Sequence, residues 1–185
     1  MRALALLMLL SSPLLAEEVH VMPGEGTLAE AIAGASPGDV LVLSGGAYMG
    51  PGTIDRTLTL QGDGTAVIDG QGKGTVITIT GDGVVLTGLE VIGSGNDNQA
   101  IDSAIKVVKG ADGSRIEGNR LVENMHGVDV HGGLDTLVLN NVILGRQNFR
   151  MNERGNGIYI WNGPGTVVEG NQVRWGRDGI FSNAS

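Results

Sequence analysis

"IEGNRLVENMHGVDV", residues 116–130, realigns without a gap on "VEGNQVRWGRDGIFS", residues 168–182, fifty-two positions further on. A copy between them is marked by Asn141, twenty-two residues after Asn119 and thirty before Asn171. The glycines keep the same two steps in the opposite order, thirty from Gly127 to Gly157 and twenty-two from Gly157 to Gly179. A repeat of this length marks stacked copies of one small unit, none of which can bury its apolar face alone. The eight residues by which the steps differ fall in "RQNFRMNER", residues 146–154, so one copy is expected to carry a loop that the others lack.

Working back from these copies, Leu60, Leu86, Ile116, Val138 and Val168 align at steps of 26, 30, 22 and 30. Each step holds short β-branched strands alternating with glycine and aspartate turns, among them Leu58 to Leu60, Ala66 to Asp69, Val76 to Thr80, Leu89 to Ile92 and Ile105 to Val108. Three strands and three turns per step make one coil of a right-handed parallel β-helix, a solenoid of the all-β class. About six coils at ~4.8 Å each give a rod of roughly 25–30 Å. Ahead of the coils, "TLAEAIA" (residues 27–33) sets Leu28, Ala31 and Ile32 on one face of a short helix. Thr27 is its expected N-cap, and the helix is placed over the open end of the first coil, because solenoid ends need caps. Gly45 to Tyr48 reads as a turn. Asn119, Asn141 and Asn171 are expected to stack at a bend as a structural amide file. Asp63, Asp69, Asp82 and Asp112, in glycine turns, are expected to bond the local backbone.

The 185 residues make one domain's worth of chain. Arg2, an apolar run from Ala3 to Leu10 and the small Ala16 read as a secretory signal over residues 1–16, with residues 17–185 forming the β-helix. That run is too short to span a bilayer. The mature chain is therefore expected to be soluble and exported. The chain stops directly after a strand and is read as the N-terminal part of a longer β-helix, truncated at its C-terminal side. Lack of cysteine excludes disulfides and thiolate metal sites. A formal net charge of −8 argues against non-specific nucleic-acid binding.

Strand alternation turns the repeat into columns. Val128, Ile158 and Ile180 should point inward, as should Val130 and Ile160. One outward column is then Asp129, Tyr159, Phe181, and the next His131, Trp161, Asn183. Aromatics gathered on one exterior strip beside a histidine and an aspartate indicate a binding surface, so Tyr159, Trp161, Phe181, Asp129 and His131 are the candidate partner-binding residues. The alternative is that a loop such as residues 146–154 covers them. Met125, His126 and His131 are the candidate metal ligands, since imidazole with thioether suits copper. Met151 is a further candidate, and His20 with Met22 a second pair. Asp129, His131 and Asp178, next to Arg177, are the residues an acid/base reaction on a sugar polymer would use.

The stretch "GNGIYIWNGPGTVVEGNQVRWGRDGIFSNAS" (residues 155–185), with "ENMHGVDVHG" and the capping "GTLAEAIAGASPGDVLVLSGGAY", resembles NosD, the periplasmic maturation proteins of nitrous oxide reductase. The capping segment is shared with exported pectate lyases and alginate epimerases. Resemblance to NosD implies a non-enzymatic accessory protein that works with an ABC transporter's membrane and ATPase subunits to build the copper–sulfur centre of nitrous oxide reductase. It implies copper as the metal concerned, and a copper-chaperone lipoprotein and the reductase itself as partners. Where the epimerases carry Asp-Pro-His, this chain has Asp129-Val130-His131. A polysaccharide lyase, hydrolase or epimerase remains the second reading, and an adhesive solenoid a third.

Overall fold

A computed structural model describes residues 16–183. Apart from Ala16, the expected signal segment lies outside the described residues. Every pairing between strands among them is parallel, and after the leading strand Glu18–Val21 each coil contributes one strand to each of three sheets. The first sheet runs from Glu18–Val21 to Val167–Glu169 and the second from Gly46–Met49 to Gln172–Arg174. The third stacks Gly52–Ile54, Ile77–Ile79, Ser103–Val108, His126–His131, Ile158–Trp161 and Ile180–Asn183. The chain is a right-handed parallel β-helix.

The repeat spacing is the register. Leu60, Leu86, Ile116, Val138 and Val168 are successive Cα partners in the first sheet. In the third sheet Val128 pairs with Ile158 and Ile158 with Ile180. The inward files of leucine, isoleucine and valine form one continuous core, with Leu60, Leu86, Ile116, Val128 and Ile158 wholly buried. Each corner must reverse the chain within a residue or two, which requires a left-handed backbone. Gly88, Gly118 and Gly170 supply it at the corner between the first two sheets, and Asn140 does so in their file with φ 54°. Repeated corners of this kind account for the glycine richness.

The asparagine file forms as expected. Asn141 Oδ1 accepts from the Asn119 main-chain N–H at 2.9 Å, and Asn171 Oδ1 accepts from the Asn141 N–H at 2.9 Å. Their amide nitrogens donate to Leu86, Ile116 and Val138 carbonyls. The capping helix, Thr27–Gly34, lays Leu28 and Ile32 against Gly52 at the start of the third sheet.

Four local expectations need correcting. The helix N-cap is Gly26, in a left-handed conformation, while the Thr27 hydroxyl donates backward to the Gly24 carbonyl at 3.0 Å. Gly46–Met49 is a strand, because Tyr48 is wholly buried and its hydroxyl bonds the carbonyls of Val21 and Ser44 at 2.7 and 2.8 Å. Asp63 and Asp69 do bond their own turns, through Thr65 and Gln71. Asp82 and Asp112 instead reach the next coil, accepting from the N–H groups of Asp112 and Leu134. Finally, the connection over residues 145–157 has a counterpart two coils earlier, over residues 93–102, at the same corner.

Candidate functional site

The outer wall of the third sheet carries the predicted columns. Tyr159 pairs with Asp129 on one side and Phe181 on the other, and Trp161 with His131 and Asn183. Coils ~4.8 Å apart leave flat rings in one column little choice but to stack. Tyr159 and Phe181 lie 5.3 Å apart between centroids and 8° from parallel. His131 and Trp161 lie 6.3 Å apart at 17°. Trp161 is 39 % exposed, and the His131 side chain 43 %.

Asp129 departs from the expected surface. It points away from the core yet is wholly buried, so it is no part of an accessible strip. Its Oδ2 pairs with Lys106 Nζ at 3.2 Å, and Oδ1 lies 3.7 Å from His131 Nδ1, outside hydrogen-bond range. Burial pushes its pKa up, opposed first by Lys106 and then by His131. Lys106 Nζ also donates to the Ala100 carbonyl at 2.9 Å, so the same side chain pins the 93–102 connection over the carboxylate.

The covering of this wall follows from coil lengths. Only Glu123 to Met125 join the second and third sheets in the compact coil, while its neighbours on both sides carry long connections at that corner. Those two connections fold toward each other across Met125 and His126. Arg146, from one, donates to the carbonyls of Ser94 and Gly95 in the other at 2.8 and 3.0 Å, and also engages the Asn96 side chain. Its Nε reaches the Glu123 carbonyl in the coil between them. The covering loop anticipated at 146–154 is therefore part of the answer, and residues 93–102 are the other part.

His126 is the first residue of its strand and is 2 % exposed. Its Nδ1 accepts from the Asn156 main-chain N–H at 3.0 Å, which leaves Nε2 to donate to Asn98 Oδ1 at 2.9 Å. Desolvation first, then Arg177 and Lys106, lowers its pKa to about 4, so the ring is neutral at pH 7. Met125 is buried with the Arg146 guanidinium 4.0 Å from its sulfur. His131 stands at the far end of the same strand, Met151 is exposed in the connection, and His20 pairs with Glu18 near the N-terminus. The structure thus does not bring the candidate metal donors together. A sulfur beside a guanidinium and an imidazole with both nitrogens engaged do not fit a single resident copper ion. Among the described residues no three His, Cys, Asp or Glu side chains are grouped to hold a metal. Asp178 pairs with Arg177 at a corner rather than with Asp129.

Two residues that decide this wall were missed from the sequence, Lys106 and Arg146. Arg146 stands twenty-two residues after Asn124, the same step that links Asn119 to Asn141. Continuing the alignment would have shown an arginine replacing an asparagine at a corner. Asn124 itself makes a second amide tie, accepting from the Ser94 N–H at 2.9 Å.

Comparison with known proteins agrees with this architecture. Over 137 residues, 74 % of the chain, it is 36 % identical to a "probable ABC transporter binding protein NosD" of Pseudomonas aeruginosa. It is equally identical, over the same length, to the NosD of Stutzerimonas stutzeri. The chain is a homologue of NosD. It spans about one third of these relatives, 32 % and 31 % of their lengths. No family model matches the chain. Among solved structures, a PL6-family alginate lyase superposes with TM-score 0.67 at 24 % identity, covering 84 % of this chain and 24 % of the lyase. An alginate lyase from Paenibacillus gives 0.66 at 21 %, covering 84 % and 58 %. At such identities the lyases share the fold with this NosD homologue and nothing more.

Proposed function

We propose that this protein is a periplasmic accessory component that works with an ABC transporter, docking its partner through the aromatic wall of the third sheet. The observation that carries the reading is the 36 % identity to proteins named as NosD, probable ABC transporter binding proteins. The finer role is maturation of the copper–sulfur centre of nitrous oxide reductase, with a copper-chaperone lipoprotein and the reductase as further partners. Copper enters as cargo of that assembly rather than as a cofactor held by Met125, His126 and His131.

Trp161, His131, Tyr159 and Phe181 form a rigid, flat, partly exposed patch whose rings are already ordered by stacking. Preordered aromatic side chains lose little entropy on docking, which favours them as interface anchors. Trp161→Ala is expected to leave the fold intact and to weaken co-purification of the exported protein with the transporter subunits at least tenfold. Equal recovery of the complex from the variant and the native chain would remove the patch from the interface. The second reading, an enzyme acting on uronate polymers, draws on the closeness of Asp129, Lys106 and His131. Burial of Asp129 beneath residues 93–102 supports the non-enzymatic reading instead. Polymer turnover that vanished in Asp129→Asn would reverse the preference.

A further inference from the structure

The first coil contains a covered carboxylate held by two main-chain donors and by no cation among the described residues. Asp39 is 5 % exposed, yet none of the ion pairs among the described residues reaches it. Its Oδ2 accepts from the Ser36 main-chain N–H at 2.7 Å, and its Oδ1 accepts from the Glu17 main-chain nitrogen at 2.9 Å. These two donors hold its carboxyl below the usual range, Glu17 contributing most. Glu17 is also the residue that follows the small Ala16 at the end of the expected secretory signal. It is gripped from its other end as well, since its carbonyl accepts from the Val40 N–H at 2.8 Å. The strand Glu18–Val21 then runs in register with Val40–Leu43. The residue that would become the new terminus is therefore fixed in the fold, with its nitrogen already aimed at a covered carboxylate.

We propose that removal of residues 1–16 converts the Glu17 nitrogen into an α-ammonium that docks on Asp39, so that processing itself closes the first coil with an ion pair. The inference rests on the export reading above. Water adds to the Ala16 carbonyl carbon and the Ala16–Glu17 C–N bond breaks. The released peptide keeps the Ala16 carboxylate, and the Glu17 nitrogen takes up protons to become –NH3+. One neutral amide donor becomes three donors with a full charge, at a position where the amide already makes its bond. Charge-assisted hydrogen bonds are roughly twice as strong as neutral ones. The precursor, with an uncharged amide there, lacks that contribution. The sign follows from linkage: an amine whose folded pKa is raised stabilises the fold below its unfolded value, about 7.7–8.0, and ceases to do so as pH rises through the folded value.

The test uses the exported protein recovered from the periplasm of an expressing cell. Intact mass is expected to show a chain beginning at Glu17. The pH dependence of N-terminal reductive dimethylation, read by mass, is expected to place the α-amine about one pH unit above its ordinary value. Asp39→Asn should return it to that ordinary value. A second variant, with Gly-Ser inserted between Ala16 and Glu17, restores an amide at Glu17 and should titrate normally even if Asp39→Asn folds poorly. A chain starting at Glu17 whose amine titrates normally overturns the ion pair and leaves export standing. A processed chain starting elsewhere also overturns the ion pair. Recovery only of a chain that retains residues 1–16 overturns the export reading, and the ion pair with it.

Discussion

Replacing Asn141 by alanine removes a wholly buried amide that bonds groups on the coils before and after its own. Its Oδ1 accepts from the main-chain N–H of Asn119 at 2.9 Å, and its Nδ2 donates to the Ile116 carbonyl at 2.9 Å. It also bonds the side chains of Asn119 and Asn171, but those keep other partners, Leu86 O and the Asn141 N–H. The variant therefore strands one main-chain group, the Asn119 N–H, where water does not reach, while the Ile116 C=O stays within the strand ladder. Such an orphan costs about 1–3 kcal/mol, which is the expected loss. Against a typical domain stability of about 5–15 kcal/mol this is a large fraction. Denaturant unfolding followed by far-ultraviolet circular dichroism measures it, with Asn148→Ala in the exposed 145–157 connection as the control. Hydrogen exchange at the Asn119 amide should accelerate by a matching factor. If Asn141→Ala unfolds within about 0.5 kcal/mol of Asn148→Ala, the spread ordinary for surface changes, the amide file contributes nothing and the reasoning fails.

Three further expectations concern the covered wall. Lys106→Met leaves the Asp129 carboxylate buried without its cation and should cost about 3–5 kcal/mol; the double variant Lys106→Met/Asp129→Asn should recover most of it, and a double-mutant cycle without coupling would refute the pairing. His126 binds its proton only near pH 4 when folded but near 6.5 when unfolded, so the unfolded state takes up the extra proton and stability falls as pH drops from 6.5 toward 4. That contribution amounts to about 3 kcal/mol, and the slope over this window should flatten in His126→Gln. Arg146→Met unties the two corner connections, so hydrogen exchange and limited proteolysis should rise within residues 93–102 while the core strands stay protected; unchanged protection there would show that the guanidinium does not hold the connection.

The sequence by itself determined the coil, its register and the direction of the residues it aligned into columns, but not the strands Glu18–Val21, Gly46–Met49 and Gly52–Ile54. Parallel stacking with one strand per sheet per coil forces equivalent residues into files, so a repeat offset is a statement about three-dimensional neighbours. Tyr159 over Phe181 and Asn119 over Asn141 were legible for that reason. Exposure was not legible, because alternation fixes only which way a side chain points, and whether anything lies on top depends on aperiodic connections. Residues 93–102 and 145–157 differ from each other in length and sequence, and their paths are set by bonds such as Arg146 to Ser94. Only the folded chain could show that Asp129 is buried beside the 93–102 connection and that His126 is held between the two connections, while His131 and Trp161 remain open to a partner. The cap differed for a similar reason: Gly26 takes the left-handed turn into the helix, a backbone demand that a threonine's capping preference does not reveal.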